Sequence, residues 1–211
     1  MLTLFHAPDS RSVRTVWLLE ELGLGYQLEV FKLGEKLMRE PQYVAVNPNG
    51  RVPTLVHQTE NGPVTVHESG AIVEYVLDRL VPGSGLKPAI HDPLYPEYLQ
   101  WLHYCEGMLG PQINLIVVEA VFLPPEKKSE VHEQRARRLL GKMLHAVEQQ
   151  LEGREYINGA FSGADTLIGH ACVVAKRLGA DIAQMPNVAA YIDRCQARPA
   201  LQAAWAAGVE K

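Results

Sequence analysis

Residues 2–6 are a short, mainly apolar run, and apolar positions then recur every three to four residues over 11–22, at Val13, Val16, Trp17, Leu19 and Leu22. The first pattern predicts a strand and the second an amphipathic helix with one buried face. Gly23 and Gly25 follow and close the helix, since glycine accepts the left-handed conformation of a C-cap. Residues 26–31 show a strand-like alternation, giving a strand-helix-strand unit with a right-handed crossover. Residues 33–46 keep no clean period and read as a short irregular helix. Two short strand patterns, 53–57 and 64–67, flank Asn61-Gly62, a turn signal for an antiparallel hairpin. Residues 68–80 then place Ile72, Val73, Val76, Leu77 and Leu80 on one helical face. The order βαβ followed by ββα is that of the thioredoxin fold.

Between 81 and 96 the composition changes to Pro82, Gly83, Gly85, Pro88, Pro93 and Pro96, a linker signature. Beyond it only helical periods remain. Tyr98, Trp101, Leu102, Cys105, Met108, Leu109, Ile113, Ile116, Val117 and Ala120 fall on one, with Pro111 expected to kink it. Leu139, Leu140, Met143, Leu144, Val147 and Leu151 mark the next. Ser162 followed by Asp165 resembles a capping box ahead of Leu167, Ile168 and Ala171. Further helices are expected over 188–195 and 200–207. The division that follows is a thioredoxin-like domain at 1–81, a linker at 82–93 and an all-helical domain at 94–211, an α/β plus all-α chain.

Composition narrows the function classes. The 211 residues are 47% hydrophobic and 21% charged with a net charge of −4, as in an ordinary soluble globular protein. No broad basic face recommends nucleic acid, and the cluster Lys127, Lys128, Arg135, Arg137 and Arg138 is interleaved with Glu126, Glu130 and Glu133 as on a solvated helix. The apolar stretch 113–123 is broken by Asn114 and Glu119 and is short for a membrane span. A cytoplasmic protein is the default expectation. Cys105, Cys172 and Cys195 form no C-x-x-C pair and lie on helical patterns, as core residues do. The eight histidines show no ligand spacing, so no metal site is expected.

Three short features carry the chemistry. Pro8-Asp9-Ser10-Arg11-Ser12 follows the first strand, Arg51-Val52-Pro53 precedes the hairpin, and Glu68-Ser69 opens a helix. Together with Trp17-Leu18-Leu19-Glu20-Glu21-Leu22-Gly23, the run Asn47 to Leu55, Glu68-Ser69-Gly70-Ala71-Ile72 and Ser162 to Asp165, they make the chain resemble a bacterial cytosolic glutathione S-transferase of the serine type over essentially its whole length. The ordered set carries the resemblance, since a single Val-Pro or Glu-Ser pair is common.

The resemblance implies a pocket for glutathione as co-substrate, with no prosthetic group. A free thiol has a pKa of ~8.5, and a helix N-terminus or nearby donor lowers it. Ser10, as the catalytic residue, would donate a hydrogen bond to the glutathione sulfur. A hydrogen bond to a charged acceptor is worth ~1.5–3 kcal/mol, against ~1.4 kcal/mol per pKa unit. Arg11 and Ser12 would add first-turn N–H groups to the glutathione site. In the alternative assignment Ser10 caps the helix while Ser12 faces the thiol. No tyrosine precedes Tyr26 and no cysteine precedes Cys105, so neither can take that role near Ser10. In the family the bond before the proline matching Pro53 is cis, and Val52 would pair through its backbone with the cysteinyl residue. Arg51, with Lys36 as the weaker candidate, suits the glycyl carboxylate or remains a solvated cation. Glu68 and Ser69 suit the γ-glutamyl ammonium and carboxylate, or form a plain helix start. Gly70 stands where some relatives carry a polar residue.

The second substrate would be a hydrophobic electrophile, with Tyr104 and Met108, one turn apart, as candidate contacts or as core. The reaction implied is alkyl or aryl transfer to glutathione, a detoxification chemistry, by a homodimer without nucleic-acid or membrane partners. Two rivals remain on the same scaffold. One is a glutathione-dependent disulfide or peroxide reductase or an isomerase, and the other a non-catalytic interaction protein. The loop around Ser10 lacks the serine- and cysteine-rich motif associated with the isomerases.

Overall fold

The computed structural model describes residues 1–209, which form two compact units, Met1–Ser84 with the chain from Ala197 onward, and Gly85–Gln196. In the first unit β1 (Leu2–His6), β2 (Tyr26–Val30), β3 (Thr54–Thr59) and β4 (Gly62–His67) form one sheet in the order β2-β1-β3-β4. β1 pairs parallel with β2, and antiparallel pairs join β1 to β3 and β3 to β4. The parallel pair needs a crossover, which α1 (Val13–Glu21) supplies, and the hairpin turns at Glu60-Asn61, one residue before the expected Asn61-Gly62 pair, since Gly62 already pairs with Thr59. Leu2, Leu4 and His6 alternate with the half-buried Thr3 and Phe5, and Leu4 lies opposite both Leu28 and Leu55. β2 and β4 are edges, and their side chains are mostly exposed or half-buried.

The irregular stretch after β2 resolves into a 3₁₀ turn, Lys36–Arg39, and one turn of helix, α2 (Pro41–Val44). After β4, α3 (Ser69–Tyr75) continues into a wider π turn, Val76–Leu80. Every residue of α1 from Val13 to Leu19 is buried, which an amphipathic pattern does not foresee. The reason lies at the far end of the chain. α1 packs against α3 and also against the C-terminal helix Pro199–Ala206, so its second face is covered too. Arg198 donates through Nε and Nη2 to the two carboxylate oxygens of Glu21 at 2.5 and 2.7 Å, and Trp17 Nε1 donates to the same carboxylate at 2.8 Å. The sequence boundaries set this C-terminal segment in the helical domain, whereas these contacts group it with the sheet.

The second unit begins with α4 (Tyr95–Tyr104), a π turn at Cys105–Leu109, α5 (Gly110–Val117) and a second π turn at Val118–Phe122. Pro111 lies in the first turn of α5, directly after a widened turn, and Leu109 and Gly110 keep helical angles. The chain therefore stays helical through the proline. The resulting helix, Tyr95–Phe122, is long and apolar enough to cross a membrane by length and composition, with a mean hydropathy of 1.2. Its Trp101, Leu102, Cys105, Leu109 and Ile116 are instead buried, and it packs against α6 (Glu130–Gln150) and α7 (Gly163–Arg177). Ser129 caps α6, its hydroxyl accepting from His132 N–H. α8 (Pro186–Ala197) is capped from a distance, as the Glu148 carboxylate of α6 accepts Asn187 N–H at 3.1 Å and Val188 N–H at 2.7 Å. The last helix, α9, is the segment Pro199–Ala206 already described. Cys105, Cys172 and Cys195 are free thiols buried in this chain's core.

Asp165 at the start of α7 has no exposure and accepts four hydrogen bonds, from Ile157 N–H, Ser162 N–H, Ser162 Oγ–H and Tyr191 Oη–H, at 2.8–3.0 Å. It joins the helix cap to the preceding loop and to α8. Replacing Asp165 with Ala strands several buried donors, each worth about 1–3 kcal/mol. The expected loss of stability is at least ~3 kcal/mol, read as a fall in the denaturant midpoint of Asp165→Ala.

Candidate functional site

Three loops of the first unit converge. The loop after β1 turns at Asp9, whose φ of 58° is unusual for a residue with a side chain. Ser10 N–H donates to Ala7 C=O, and Val13 N–H to Ser10 C=O. The regular helix starts at Val13, so Ser10 stands before it and is not its N-cap. Its hydroxyl accepts Ser12 N–H at 3.1 Å and lies 2.7 Å from Ser12 Oγ. Ser10 keeps 9% exposure, whereas Ser12 has none. Ser12 Oγ points under the loop, accepting Ala7 N–H at 3.1 Å and lying 2.8 Å from His6 Nδ1. Ser12 is among the expected glutathione contacts. Its hydroxyl is enclosed, its N–H is taken by Ser10, and it makes no side-chain cap to the helix.

The loop between α2 and β3 is built on Asn47, which is buried. Its Nδ2 donates to Arg51 C=O and to Thr54 Oγ1, both at 2.9 Å, and its Oδ1 accepts Asn49 N–H at 3.0 Å. Tyr43 Oη donates to the same Arg51 carbonyl at 2.5 Å. Gly50 at φ 56° completes the turn, and the Val52-Pro53 bond is cis, as the family pattern implies. The third loop enters α3 through Glu68, at φ 76°, and Ser69, which is 2% exposed. Backbone held in a sparsely populated region costs of order 1–3 kcal/mol and gathers at binding sites. Asp9 and Glu68, the non-glycine residues with positive φ among those described, both stand here.

Arg11, Asn47, Asn49, Arg51, Val52, Pro53, His67, Glu68 and Ser69 line one shallow depression open to solvent. Two guanidinium groups and one carboxylate give it both signs of charge, the pattern that matches a zwitterionic peptide with two carboxylates and one ammonium. Of the residues expected from sequence, Arg11, Arg51, Val52, Pro53, Glu68 and Ser69 come together in it. Ser10 adjoins it through Arg11. Lys36 lies outside it, exposed on its 3₁₀ turn. Asn47, Asn49 and His67 are lining residues that sequence reasoning misses. The Asn47-Pro48-Asn49-Gly50 turn is the available signal for the first two, and nothing in the sequence marks His67.

In the second unit, Tyr104 packs at a tilt against Trp101 with ring centroids 4.8 Å apart and donates its hydroxyl to Met143 C=O at 3.1 Å. Burial raises its phenol pKa further. That proton is engaged within α4 and α6, so a role for it in stabilising charge on an electrophile requires breaking this bond. Met108 is exposed on its π turn. Among the described residues, no group of three or more His, Cys, Asp or Glu side chains could hold a metal ion.

A four-stranded mixed sheet with this loop arrangement, followed by an all-helical unit, is the thioredoxin-like plus helical architecture of glutathione S-transferases. Residues 1–78 match the family model described as glutathione S-transferase, N-terminal domain. Glutathione S-transferase 4 of Zea mays is 31% identical over 198 residues, 89% of this chain and 83% of its own length. The Disulfide-bond oxidoreductase YfcG of Escherichia coli is 27% identical over 210 residues, 95% of this chain and 92% of its own. The crystal structure of a glutathione transferase from Burkholderia graminis, with two glutathione molecules bound per subunit, superposes with a TM-score of 0.88 at 27% identity, covering 100% of this chain and 89% of that one. The chain belongs to the glutathione S-transferase family.

The Asn47–Val52 turn offers a direct check on the depression's architecture. A Cβ added at Gly50 would lie 2.5 Å from the Met38 carbonyl oxygen, a backbone atom, at a φ of 56°. Gly50→Ala is expected to lower stability by about 1–3 kcal/mol, measured by thermal or denaturant unfolding. Gly25→Ala, which meets nothing within 4 Å, serves as the control.

Proposed function

We propose that the protein binds glutathione in this depression and uses its thiolate to attack hydrophobic electrophiles. The observation that carries the reading is the meeting of Arg11, Val52, Glu68 and Ser69 around one hollow, with Ser10 next to Arg11 in the chain, in a unit without a cysteine. The nucleophile must then come with the ligand. Ser10 Oγ–H donates to the sulfur and favours its anionic form. Val52 N–H and C=O pair with the cysteinyl backbone as a short added strand. Glu68 takes the γ-glutamyl ammonium, and Ser69 with the adjoining backbone N–H groups takes its carboxylate. Arg51 takes the glycyl carboxylate, and Lys36, standing apart, contributes at most at long range. Arg11 adds a second cation at the same rim.

In the conjugation step the thiolate forms a carbon–sulfur bond as the electrophile's leaving group departs with its electron pair. In this reading residues 1–81 serve glutathione, and 94–211 serve the electrophile through Tyr104 and Met108. A cytoplasmic homodimer is the form that the family resemblance implies.

A second reading draws on the Escherichia coli oxidoreductase and on the two glutathione molecules in the Burkholderia structure. The same thiolate would attack a mixed disulfide of glutathione, forming glutathione disulfide and releasing the other thiol. No protein cysteine enters that exchange, and the chain's three are buried in its core.

Two measurements decide between these. Ser10→Ala is expected to reduce turnover with a model aryl halide by roughly tenfold to a hundredfold, with glutathione affinity changed less than threefold. Equal turnover in the two proteins removes Ser10 from the role. Disulfide exchange with a glutathionylated peptide, assayed beside conjugation, assigns the main activity. The faster of the two, compared as kcat/KM, names the reaction.

A further inference from the structure

Ser10 does not end the chain of hydroxyls. Ser10 Oγ is 2.7 Å from Ser12 Oγ, which is 2.8 Å from His6 Nδ1, and His6 Nε2 is 3.1 Å from the carbonyl oxygen of Ala207, just past α9. A carbonyl only accepts, so His6 Nε2 carries a hydrogen and donates it. In the neutral ring Nδ1 is then the bare nitrogen, and Ser12 O–H, which also has the Ala7 carbonyl within reach at 3.2 Å, donates to Nδ1 over the shorter 2.8 Å. Ser12 Oγ keeps two acceptor positions, filled by Ala7 N–H and Ser10 O–H. The resting chain therefore runs inward, from Ser10 to Ser12 to His6, and Ser10 turns a lone pair outward. That direction cannot stabilise a thiolate, but it can receive a thiol proton.

We infer that His6 is the acceptor of the glutathione thiol proton, reached through Ser10 and Ser12. The inference rests on the reading that Ser10 meets the sulfur. The S–H bond gives its proton to Ser10 Oγ, Ser10 gives its own to Ser12 Oγ, and Ser12 gives its own to His6 Nδ1. One proton enters the chain and none leaves, and no electron is transferred. The products are a thiolate, an imidazolium and two hydroxyls that now point outward. Nδ1–H donates to Ser12, Ser12 O–H to Ser10, and Ser10 O–H to the sulfur. His6 acts through the two hydroxyls and is a positioning residue, not one that touches the ligand.

The surroundings suit this. His6 is fully buried, and its side chain has two hydrogen-bond partners, Ser12 and Ala207. β2 presents Val30 opposite it, and Val30 methyl groups and His6 Cδ2 border the same spot at Gly208. The charged residues of the adjoining segments are Asp9, Arg11 and Arg14 of the loop and α1, and Glu29 of β2. Burial lowers its pKa, while the Ala207 carbonyl raises it. The free protein thus holds a neutral, vacant acceptor, and a thiolate at the far end supplies the opposite charge.

The test compares wild type with Ser10→Ala, Ser12→Ala and His6→Gln. The glutamine amide can still reach the Ala207 carbonyl, but it offers no base at the Nδ1 position. Two quantities are read on glutathione binding: the midpoint of thiolate ultraviolet absorbance against pH, and protons released, by calorimetry in two buffers of different ionisation enthalpy. In wild type, thiolate should form with little proton release. In His6→Gln and Ser12→Ala, each thiolate formed should release about one proton, and the midpoint should rise by about one pH unit, roughly tenfold less thiolate near neutrality. Release of one proton per thiolate in wild type overturns the inference. So does an unchanged release in Ser12→Ala, which keeps the test decisive should His6→Gln fail to fold. Ser10→Ala separates the two levels. If it leaves the midpoint unchanged, the reading of Ser10 itself falls. If it raises the midpoint while the other two variants match wild type, only the role of His6 falls.

Discussion

Seven consecutive residues of α1 are withdrawn from water, and the first unit is arranged around that burial. A helix of this kind needs a cover on more than one side. α3 supplies one contact and α9, from the far end of the chain, another. Each fully buried large apolar side chain contributes about 1.5–3 kcal/mol, so Val13, Val16, Trp17, Leu18 and Leu19 together outweigh any single hydrogen bond in the unit. Glu21 and Arg198 then fix where the two helices meet. A bidentate pair partly shielded from solvent gives direction as well as energy.

The loop entering α1 inherits that fixed position. Under it lie polar groups that must all be paired, because an unmet buried donor or acceptor costs about 1–3 kcal/mol. Ser12 settles most of them by bonding to Ala7 and His6, and its contacts with Ser10 hold that residue in place. The Asn47 loop follows the same logic. One buried amide satisfies Arg51, Thr54 and Asn49, and the backbone at Val52 is set by what lies behind it.

The chemistry is divided in a corresponding way. The protein offers charge, hydrogen-bond donors and a backbone edge, and in the proposed reading the ligand brings the reactive sulfur. Cysteines exist in the chain but sit in the apolar interior, where burial raises the Cys172 thiol well above its ordinary pKa. A thiol held neutral there is a packing group. One scaffold can then serve conjugation or disulfide exchange, depending on which partner the same thiolate meets.

Much of the fold is legible in the sequence because it is local. A short apolar run, period-two and period-3.6 patterns report β1 to β4 and the main helices, Asn61-Gly62 the hairpin, and Ser162 with Asp165 a helix start. The ordered motifs around Ser10, Val52-Pro53 and Glu68-Ser69 point to six residues that line the depression. What the sequence could not settle depends on distant partners. Lys36 and Ser12 carry suitable side chains, yet one is turned to solvent and the other enclosed. α9 reads as one more helix of the second domain, and only its contacts with α1 assign it to the first. Asn47, Asn49 and His67 lack a local mark of their placement. A period records which face of a segment avoids water, whereas which hydroxyl faces a ligand is decided by groups that the chain brings together from as far apart as His6 and Ala207.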